Sequence, residues 1–525
     1  MGTSPVKGNP MNGAEAAIQT AVRAGVDVCF ANPGTTELAW VQALDSVPGI
    51  RAILGLFEGV CTGAADGYGR MTDRPALTLL HLGPGFANGI ANLHNARRAR
   101  SPIVNLIGDH ASWHLAADAP LTSDITSLAN PVSHWVRNNT SAAELASDLA
   151  EAWTEAAGSP GRIATLIAPT DYQLGEGQPV EAPPRRATAP IDTERVSSAA
   201  KSLRGARQPL LLVGGRALRE EGLRAAARVA VSTGARIIGE TFPARLERGG
   251  DLPPIERLPY FPDQAIEAIA KHDVIVLAGA IAPVSFFGYE GIPSLLAPPN
   301  AEIVTLSSPE EDVEGSLQGL ADELNESEAS PAGAAGPPRP EAPTGALHPG
   351  SLGQALAAVQ PEGAIVVDEG ATSGMPYFLA AAGAPRHTYL GLTGGAIGQG
   401  LPCATGAAIG CPDRQVIALQ ADGSGAYTVQ ALWTQARAAL DVVTLLCSNR
   451  AYRILQVELG RAGVAEPGPI AKSLTDLSRP TLDWVSLAEG FGVPAARVET
   501  ADELNHQLEI GFAESGPRLI ELELG

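Results

Sequence analysis

The stretch Gln415–Gln420, Ala421-Asp422-Gly423-Ser424, Val442–Cys447, Ser448-Asn449 decides the fold of this chain. It reads as strand, acidic turn, helix through Leu440, strand and amide turn, with Asp422 and Asn449 27 positions apart. A βαβ unit of that length brings the C-terminal ends of two parallel strands side by side. One carboxylate and one amide oxygen then face a single crevice beside a helix N-terminus, a place for a hard cation bridging to a diphosphate. Gly423, Ser424 and Gly425 permit close backbone approach and offer donors to phosphate. Val429, Leu432, Trp433, Ala436 and Leu440 give the helix one apolar face for a sheet. Alone, an Asp-Gly with a distant Asn is a cap and a turn by roughly ten to one, because both residues are favoured there.

Outward from this unit, short apolar runs alternate with helical patterns almost throughout, which predicts parallel α/β architecture. The first block, residues 11–174, carries strands at Val26–Phe30, Ile53–Phe57, Ala76–His81, Ile103–Ile107 and Ile163–Ile167, with helices such as Glu37–Leu44 and Ala87–Ala99 between them. A Pro, Arg and Glu-rich linker from Gly175 to Pro190 follows. The central block, 190–322, has strands at Leu210–Gly214, Ala235–Ile238, Val274–Leu277 and Ile303–Leu306. Residues 323–350, dominated by Ala, Pro, Gly, Ser and Glu, lack the apolar surface to order themselves and read as a flexible connection. The last block, 351–525, repeats the general plan of the first, with strands at Ala364–Val367, Thr388–Leu392, Val416–Leu419, Val442–Cys447 and Leu519–Leu524. Three doubly wound parallel-sheet domains are expected, since 525 residues are too many for one core.

Composition narrows the function. With 36 Lys and Arg against 57 Asp and Glu, the net charge of −21 disfavours nucleic acid or an anionic membrane as a partner. The five cysteines are scattered without a Cys-x-x-Cys pair, so buried free thiols in a reducing compartment are expected. Met1-Gly-Thr-Ser-Pro-Val has neither the basic region nor the apolar segment of a signal peptide, and no run reaches the ~20 apolar residues of a membrane span. A cytoplasmic protein is expected.

The motif around Asp422 has a relative. Ala-Asp-Gly-Ser, the helix with Ala431-Leu432-Trp433, and Ser-Asn-Arg-Ala-Tyr resemble the thiamine diphosphate motif of the benzoylformate decarboxylase and acetohydroxyacid (acetolactate) synthase superfamily. The usual motif begins Gly-Asp-Gly and closes Asn-Asn; here Ala421 and Ser448 replace the outer residues while both presumed ligands remain. The resemblance implies that Asp422, Asn449 and the Ala451 carbonyl bind Mg²⁺, and that Gly423, Ser424, Ala451 and Tyr452 line the cofactor. Glu369-Gly-Ala-Thr372-Ser373 and Gly394-Gly395-Ala-Ile397-Gly398 match the diphosphate-contacting and thiazolium-wedge segments, with Ile397 as the wedge.

The first block carries the complementary signature. Leu54-Gly-Leu-Phe-Glu58-Gly59 sets one Glu at the end of an apolar strand, followed by a helix of small residues, Thr62 to Arg70. By resemblance Glu58 hydrogen-bonds the aminopyrimidine ring and promotes the tautomer that acts as internal base. Alone, a strand-end Glu is a solvated or capping residue in roughly three cases of four. Asn32-Pro-Gly-Thr35-Thr-Glu37 resembles the first strand-to-helix turn of the family, where a hydroxyl faces substrate. His81 matches a catalytic histidine of benzoylformate decarboxylase, and Gly83-Pro-Gly-Phe-Ala-Asn-Gly89 opens the next helix. His110 ends a strand on the same edge; its spacing to His114 suits zinc, but no Glu or Cys completes a set, so a hydrogen-bonded loop histidine is favoured roughly five to one. Glu58, His81, Thr35 and His110 are the candidate catalytic residues.

The resemblance is strong in the outer blocks and generic in the central one. Phe286-Phe287-Gly288 falls nearest the position of the second active-site histidine of benzoylformate decarboxylase, and Val213-Gly214-Gly215 is too little to support FAD. The expected function is decarboxylation of a pyruvate-like 2-oxo acid, dependent on thiamine diphosphate and Mg²⁺, with transfer of the remaining fragment to a second carbonyl. A simple decarboxylase releasing an aldehyde and a non-catalytic cofactor-binding regulator are the alternatives, with a nicotinamide-dependent dehydrogenase as a third. The resemblance further implies a homodimer at least, with a homotetramer common, in which the first domain of one chain faces the third of another.

Overall fold

The computed structural model describes residues 11–324 and 336–524. The N-terminal hexapeptide and the middle of the expected 323–350 connection lie outside the described residues. On either side of that connection, helices end at Glu323 and begin at Pro349.

Three sheets organise the chain. The first holds β1 (Val28–Asn32), β2 (Arg51–Leu54), β3 (Ala76–His81), β4 (Ile103–Asp109), β5 (Trp135–Asn138) and β6 (Ile163–Pro169), in the order β2-β1-β3-β4-β6-β5. The second holds β7 (Pro209–Val213), β8 (Arg236–Gly239), β10 (Glu256–Arg257), β11 (Val274–Ala278) and β12 (Glu302–Ser307), ordered β10-β8-β7-β11-β12. The third holds β13 (Ala364–Glu369), β14 (His387–Gly391), β15 (Val416–Ala421), β16 (Val442–Ser448), β17 (Ala495–Val498) and β18 (Arg518–Glu523), with β9 (Leu246–Arg248) added at one edge. Among the described residues all pairings between these strands are parallel except that of β9 with β14. Central strands such as β6 and β16 are buried along their whole length, as parallel strands covered on both faces must be, and this is why they read as continuous apolar runs.

The described residues up to Ala187, with Thr405–Gly410, form one compact unit, and the remaining described residues form a second. All five cysteines are unpaired, and only Cys411 is not fully buried. No helix among the described residues is long and apolar enough to cross a membrane.

Local departures from the sequence reading have identifiable causes. Strands β5, β9, β10 and β17 escape it because they are short or polar edge pieces: Trp-Val-Arg-Asn, Leu-Glu-Arg, Glu-Arg and Ala-Ala-Arg-Val. β9 comes from the central stretch of sequence yet closes the edge of the third sheet, where Thr388 Oγ1 donates to Glu247 Oε2 at 2.8 Å. β2 stops at Leu54, and Glu58 is the first residue of the helix Glu58–Thr72, not the last of a strand. The helix expected from Asp422 through Leu440 is broken into one turn, Asp422–Gly425, and a helix, Ala431–Arg437. Its buried residues include Leu432 but also Thr434 and Gln435, whose side chain reaches the Leu401 carbonyl, so a polar contact replaces part of the expected apolar stripe.

Candidate active site

In the first unit the register of the sheet gathers the candidate residues at one edge. Asn32 of β1 pairs with Leu80, and His81 of β3 pairs with Gly108 of β4, so three strands end together. The turn after β1 is pinned by Asn32 Nδ2, which donates to the Gly55 carbonyl at 2.8 Å. It runs into a single 3-10 turn, Thr35–Glu37, and Glu37 folds back so that its Oε2 accepts from Gly34 N–H at 2.8 Å.

Glu37 is wholly buried beneath His81. His81 Nδ1 lies 2.7 Å from Glu37 Oε2, and Thr36 Oγ1 donates to Glu37 Oε1 at 2.8 Å while standing 3.2 Å from the same Nδ1. The backbone is cut away to admit this group: a Cβ on Gly34 would lie 2.3 Å from His81 Nδ1, and one on Gly108 2.1 Å from Glu37 Oε1. Thr35, the hydroxyl singled out from sequence, is exposed; the hydroxyl that touches His81 belongs to Thr36.

Glu58 begins its helix with its side chain almost covered, and its Oε2 accepts from Asn88 Nδ2 at 2.9 Å. Asn88 lies on the helix Leu82–Ala99, which clamps the Glu58 helix through Asn92 Nδ2 to the Gly59 carbonyl and Thr62 Oγ1 to the Gly89 carbonyl. A Cβ on Gly85 would stand 2.9 Å from Glu58 Oε1 and 3.3 Å from His81 Cβ, so one glycine gives room to both candidate groups. Leu82, buried at the mouth of that helix, holds a left-handed φ of 53°, a conformation that costs a branched side chain about 1–3 kcal/mol. His110 sits one residue past β4, half-buried, with its ring 5.5 Å from that of His114 and its buried Nε2 without a hydrogen-bond partner among the described residues. The N–H of His110 donates to Asp109 Oδ1, while burial pushes the Asp109 carboxyl above its ordinary range.

In the second unit β15 and β16 run in register with Ala421 opposite Cys447, so Asp422 and Asn449 follow adjacent strand ends, as the spacing predicts. Asp422 is buried; its Oδ1 accepts from Gly423 N–H at 2.8 Å and its Oδ2 from Arg450 N–H at 2.6 Å. Burial raises its pKa against the pull of those N–H groups. Asn449 Oδ1 accepts from Ala451 N–H at 3.0 Å, which fixes the amide oxygen beside the same turn. Arg450 takes a left-handed φ of 55° to make that turn and sends its guanidinium away to Glu523. Tyr452 packs on the turn from above: a Cβ on Gly423 would meet its ring at 2.5 Å.

The glycine-rich segment before Gly400 is organised by a carboxylate that the resemblance placed in the diphosphate-contacting segment without a role of its own. Glu369 is buried at the end of β13; its Oε1 accepts from the N–H groups of Gly398 and Gln399, its Oε2 from Gly400 N–H and Gln420 Nε2. Burial raises its pKa while these four donors oppose the rise. Ser424 is tied in by Gln420 Nε2 at 2.6 Å, so β13, β15, the glycine segment and the turn at Asp422 share one network. Ile397 is half-buried, Gly395 carries a φ of 76°, and Gly398 one of 96°. Ser373 is buried and Thr372 exposed. Gln420 had a legible signal, a polar residue closing an apolar strand, and so had Glu37, an acid three residues after a turn glycine.

The donor set fits the expected cation. Among the described residues no three His, Cys, Asp or Glu side chains are grouped so as to hold a metal ion by themselves, and no cationic side chain pairs with Asp422. A single buried carboxylate beside an amide oxygen and turn backbone suits Mg²⁺, which takes one or two carboxylates and completes its shell with phosphate and water.

Residues 11–128 match the family "Thiamine pyrophosphate enzyme, N-terminal TPP binding domain", and residues 370–522 match "Thiamine pyrophosphate enzyme, C-terminal TPP binding domain". The chain is 51% identical over 515 residues to "Putative acetolactate synthase large subunit IlvX" of Mycobacterium tuberculosis, covering 98% of this chain and 99% of that one. It is 29% identical to benzoylformate decarboxylase of Pseudomonas aeruginosa, covering 95% and 96% of the two chains. A solved structure of a thiamine diphosphate-dependent 4-hydroxybenzoylformate decarboxylase from Rhodococcus jostii superposes with a TM-score of 0.86 at 25% identity, over 98% of this chain and 99% of that one.

Proposed function

Because this chain belongs to the thiamine diphosphate-dependent enzymes that include acetolactate synthases and benzoylformate decarboxylases, we propose that it decarboxylates a pyruvate-like 2-oxo acid and transfers the remaining fragment to a second carbonyl, as a Mg²⁺-dependent carboligase. Bound cofactor supplies the electron sink that side chains lack. Asp422, Asn449 and the Ala451 carbonyl hold Mg²⁺. Thr372, Ser373, Gly423 and Ser424 receive the diphosphate, and Tyr452 packs beside it. Gly395 and Ile397 support the thiazolium, and Glu58 hydrogen-bonds the pyrimidine nitrogen. His81, with Thr35 or His110, carries protons to and from substrate oxygens and carbons.

The observation that carries this reading is the buried Asp422 carboxylate, which accepts from backbone N–H groups and, among the described residues, pairs with no cationic side chain. Burying such a charge is costly unless it is paired, and a divalent ion held there would offset that cost. A second reading, release of the fragment as an aldehyde, is favoured by the histidine set on buried Glu37, since release needs a proton donor at the carbon. Product analysis of holoenzyme given pyruvate or phenylglyoxylate, each with a panel of aldehyde and ketone acceptors, separates the two. A 2-hydroxy ketone supports the carboligase, and aldehyde with CO₂ in equal amounts supports the decarboxylase. No CO₂ from any 2-oxo acid, with Mg²⁺ and cofactor saturating, sinks both.

We place the protein in the cytoplasm as a homodimer at least. Ile470 and Leu474, four apart on the helix Pro469–Thr475, are 75% and 71% exposed, which suits burial in an assembly.

A further inference from the structure

The group under His81 is more completely built than a passing hydrogen bond requires. Glu37 has no exposed surface, yet its two oxygens meet three hydrogen-bonding groups: Gly34 N–H and His81 Nδ1 at Oε2, and the Thr36 hydroxyl at Oε1. Gly34 N–H can only donate and the Thr36 hydroxyl is set to donate at Oε1, so the arrangement is satisfied when Glu37 is a carboxylate and Nδ1 supplies the third hydrogen. A carboxylate accepts only, which fixes the tautomer of the ring facing it. Two backbone positions, Gly34 and Gly108, have no Cβ exactly where one would strike the ring or the carboxylate. His81 itself is 24% exposed at its side chain, so the ring joins a closed interior to the open edge of the sheet.

We propose that Glu37 is the positioning residue for His81: it holds the proton on Nδ1 and leaves Nε2 as the only ring nitrogen able to exchange a proton with substrate. Glu37 has no exposed surface with which to touch substrate; Thr36 and Gly34 keep its carboxylate in place. The role rests on the reading of His81 as the proton-carrying group, and it explains why that histidine needs a buried acid instead of a backbone carbonyl. The arrangement follows the logic of an imidazole oriented by a buried carboxylate, reached here through a strand-to-helix turn.

The test has one arm that needs no turnover. In holoenzyme labelled with ¹⁵N-histidine, with the His81 signals assigned by their loss in His81→Gln, wild type is expected to show the proton on Nδ1. In Glu37→Gln the Nε2–H tautomer gains population, because the amide can donate to Nδ1. A wild-type ring protonated on Nε2 alone overturns the proposal, whatever the enzyme does with 2-oxo acids. The kinetic arm is a double-mutant cycle on the best substrate found. Glu37→Gln should lower kcat about tenfold or more with KM changed less than about threefold, and add nothing further in a His81→Ala background. Equal losses in both backgrounds would mean that Glu37 acts on the fold and not through the histidine, and the proposal fails. Absence of all turnover defeats the proposed function and leaves the tautomer result to decide this one.

Discussion

At the level of single residues, each candidate group depends on a partner that the fold brings to it. Glu58 stood out as an acid after an apolar run, whereas its partner Asn88 lies 30 residues on and is delivered by the packing of two helices. Glu58→Gln is expected to abolish exchange of the cofactor C2 proton while leaving diphosphate binding mostly intact; exchange at the wild-type rate in that variant would refute the role. His387 makes a different prediction. Burial, with Arg248 and Arg414 nearby, lowers its pKa from 6.5 to about 3. The folded state therefore binds its proton less readily than the unfolded chain, so the contribution is intact above pH 6.5 and is lost as pH falls towards 3. The slope is roughly 1.4 kcal/mol per pH unit in that window. His387→Asn keeps a donor for the Pro385 carbonyl and removes the titration. Its urea-unfolding free energy should fall less steeply with acid than that of wild type, and parallel slopes would contradict the assignment.

At the level of elements, glycines and one carboxylate decide what the local pattern leaves open. Helix-interior glycine usually costs about 0.5–1 kcal/mol against alanine, so Gly85→Ala should stabilise on propensity alone. Here the new Cβ meets Glu58 Oε1 at 2.9 Å, the far end of a side chain, which can swing aside. The expected outcome is an unchanged or slightly raised melting temperature with turnover lowered at least about tenfold; normal turnover would show that Glu58 tolerates displacement. Glu369→Ala should behave in the opposite way. It strips three backbone N–H groups of their buried acceptor, at about 1–3 kcal/mol each, and destabilisation of about 3 kcal/mol or more is expected by chemical denaturation. The strands of the three sheet interiors were legible because burial on both faces demands continuous apolar runs. The break between Gly425 and Ala431 was not, since helical spacing persists across it while the chain turns to place Gly398 and Thr428 in contact.

For the whole molecule, cofactor and metal should act as one ligand. Anything that binds only the folded state stabilises it by RT ln(1 + [L]/Kd), about 2.7 kcal/mol at a hundredfold excess over Kd. Thiamine diphosphate with Mg²⁺ should raise the melting temperature, EDTA should cancel most of that rise, and nicotinamide nucleotides should give none. Protection by the diphosphate that survives complete chelation would contradict the clasp at Asp422. Light scattering of holoenzyme should give at least twice the monomer mass of 54.0 kDa. The sequence by itself determined the parallel α/β class, the strands of the sheet interiors, and the Asp422–Asn449 pair, because these depend on periodicity and on short βαβ geometry. Only the tertiary structure decided that β9 leaves its neighbours for the third sheet, that Glu369 ties down the glycine segment, and that Glu37 lies beneath His81. Those contacts join residues 29 to 141 positions apart or hide a charge beneath a turn, and their energy comes from burial and hydrogen bonding that no local run of residues encodes.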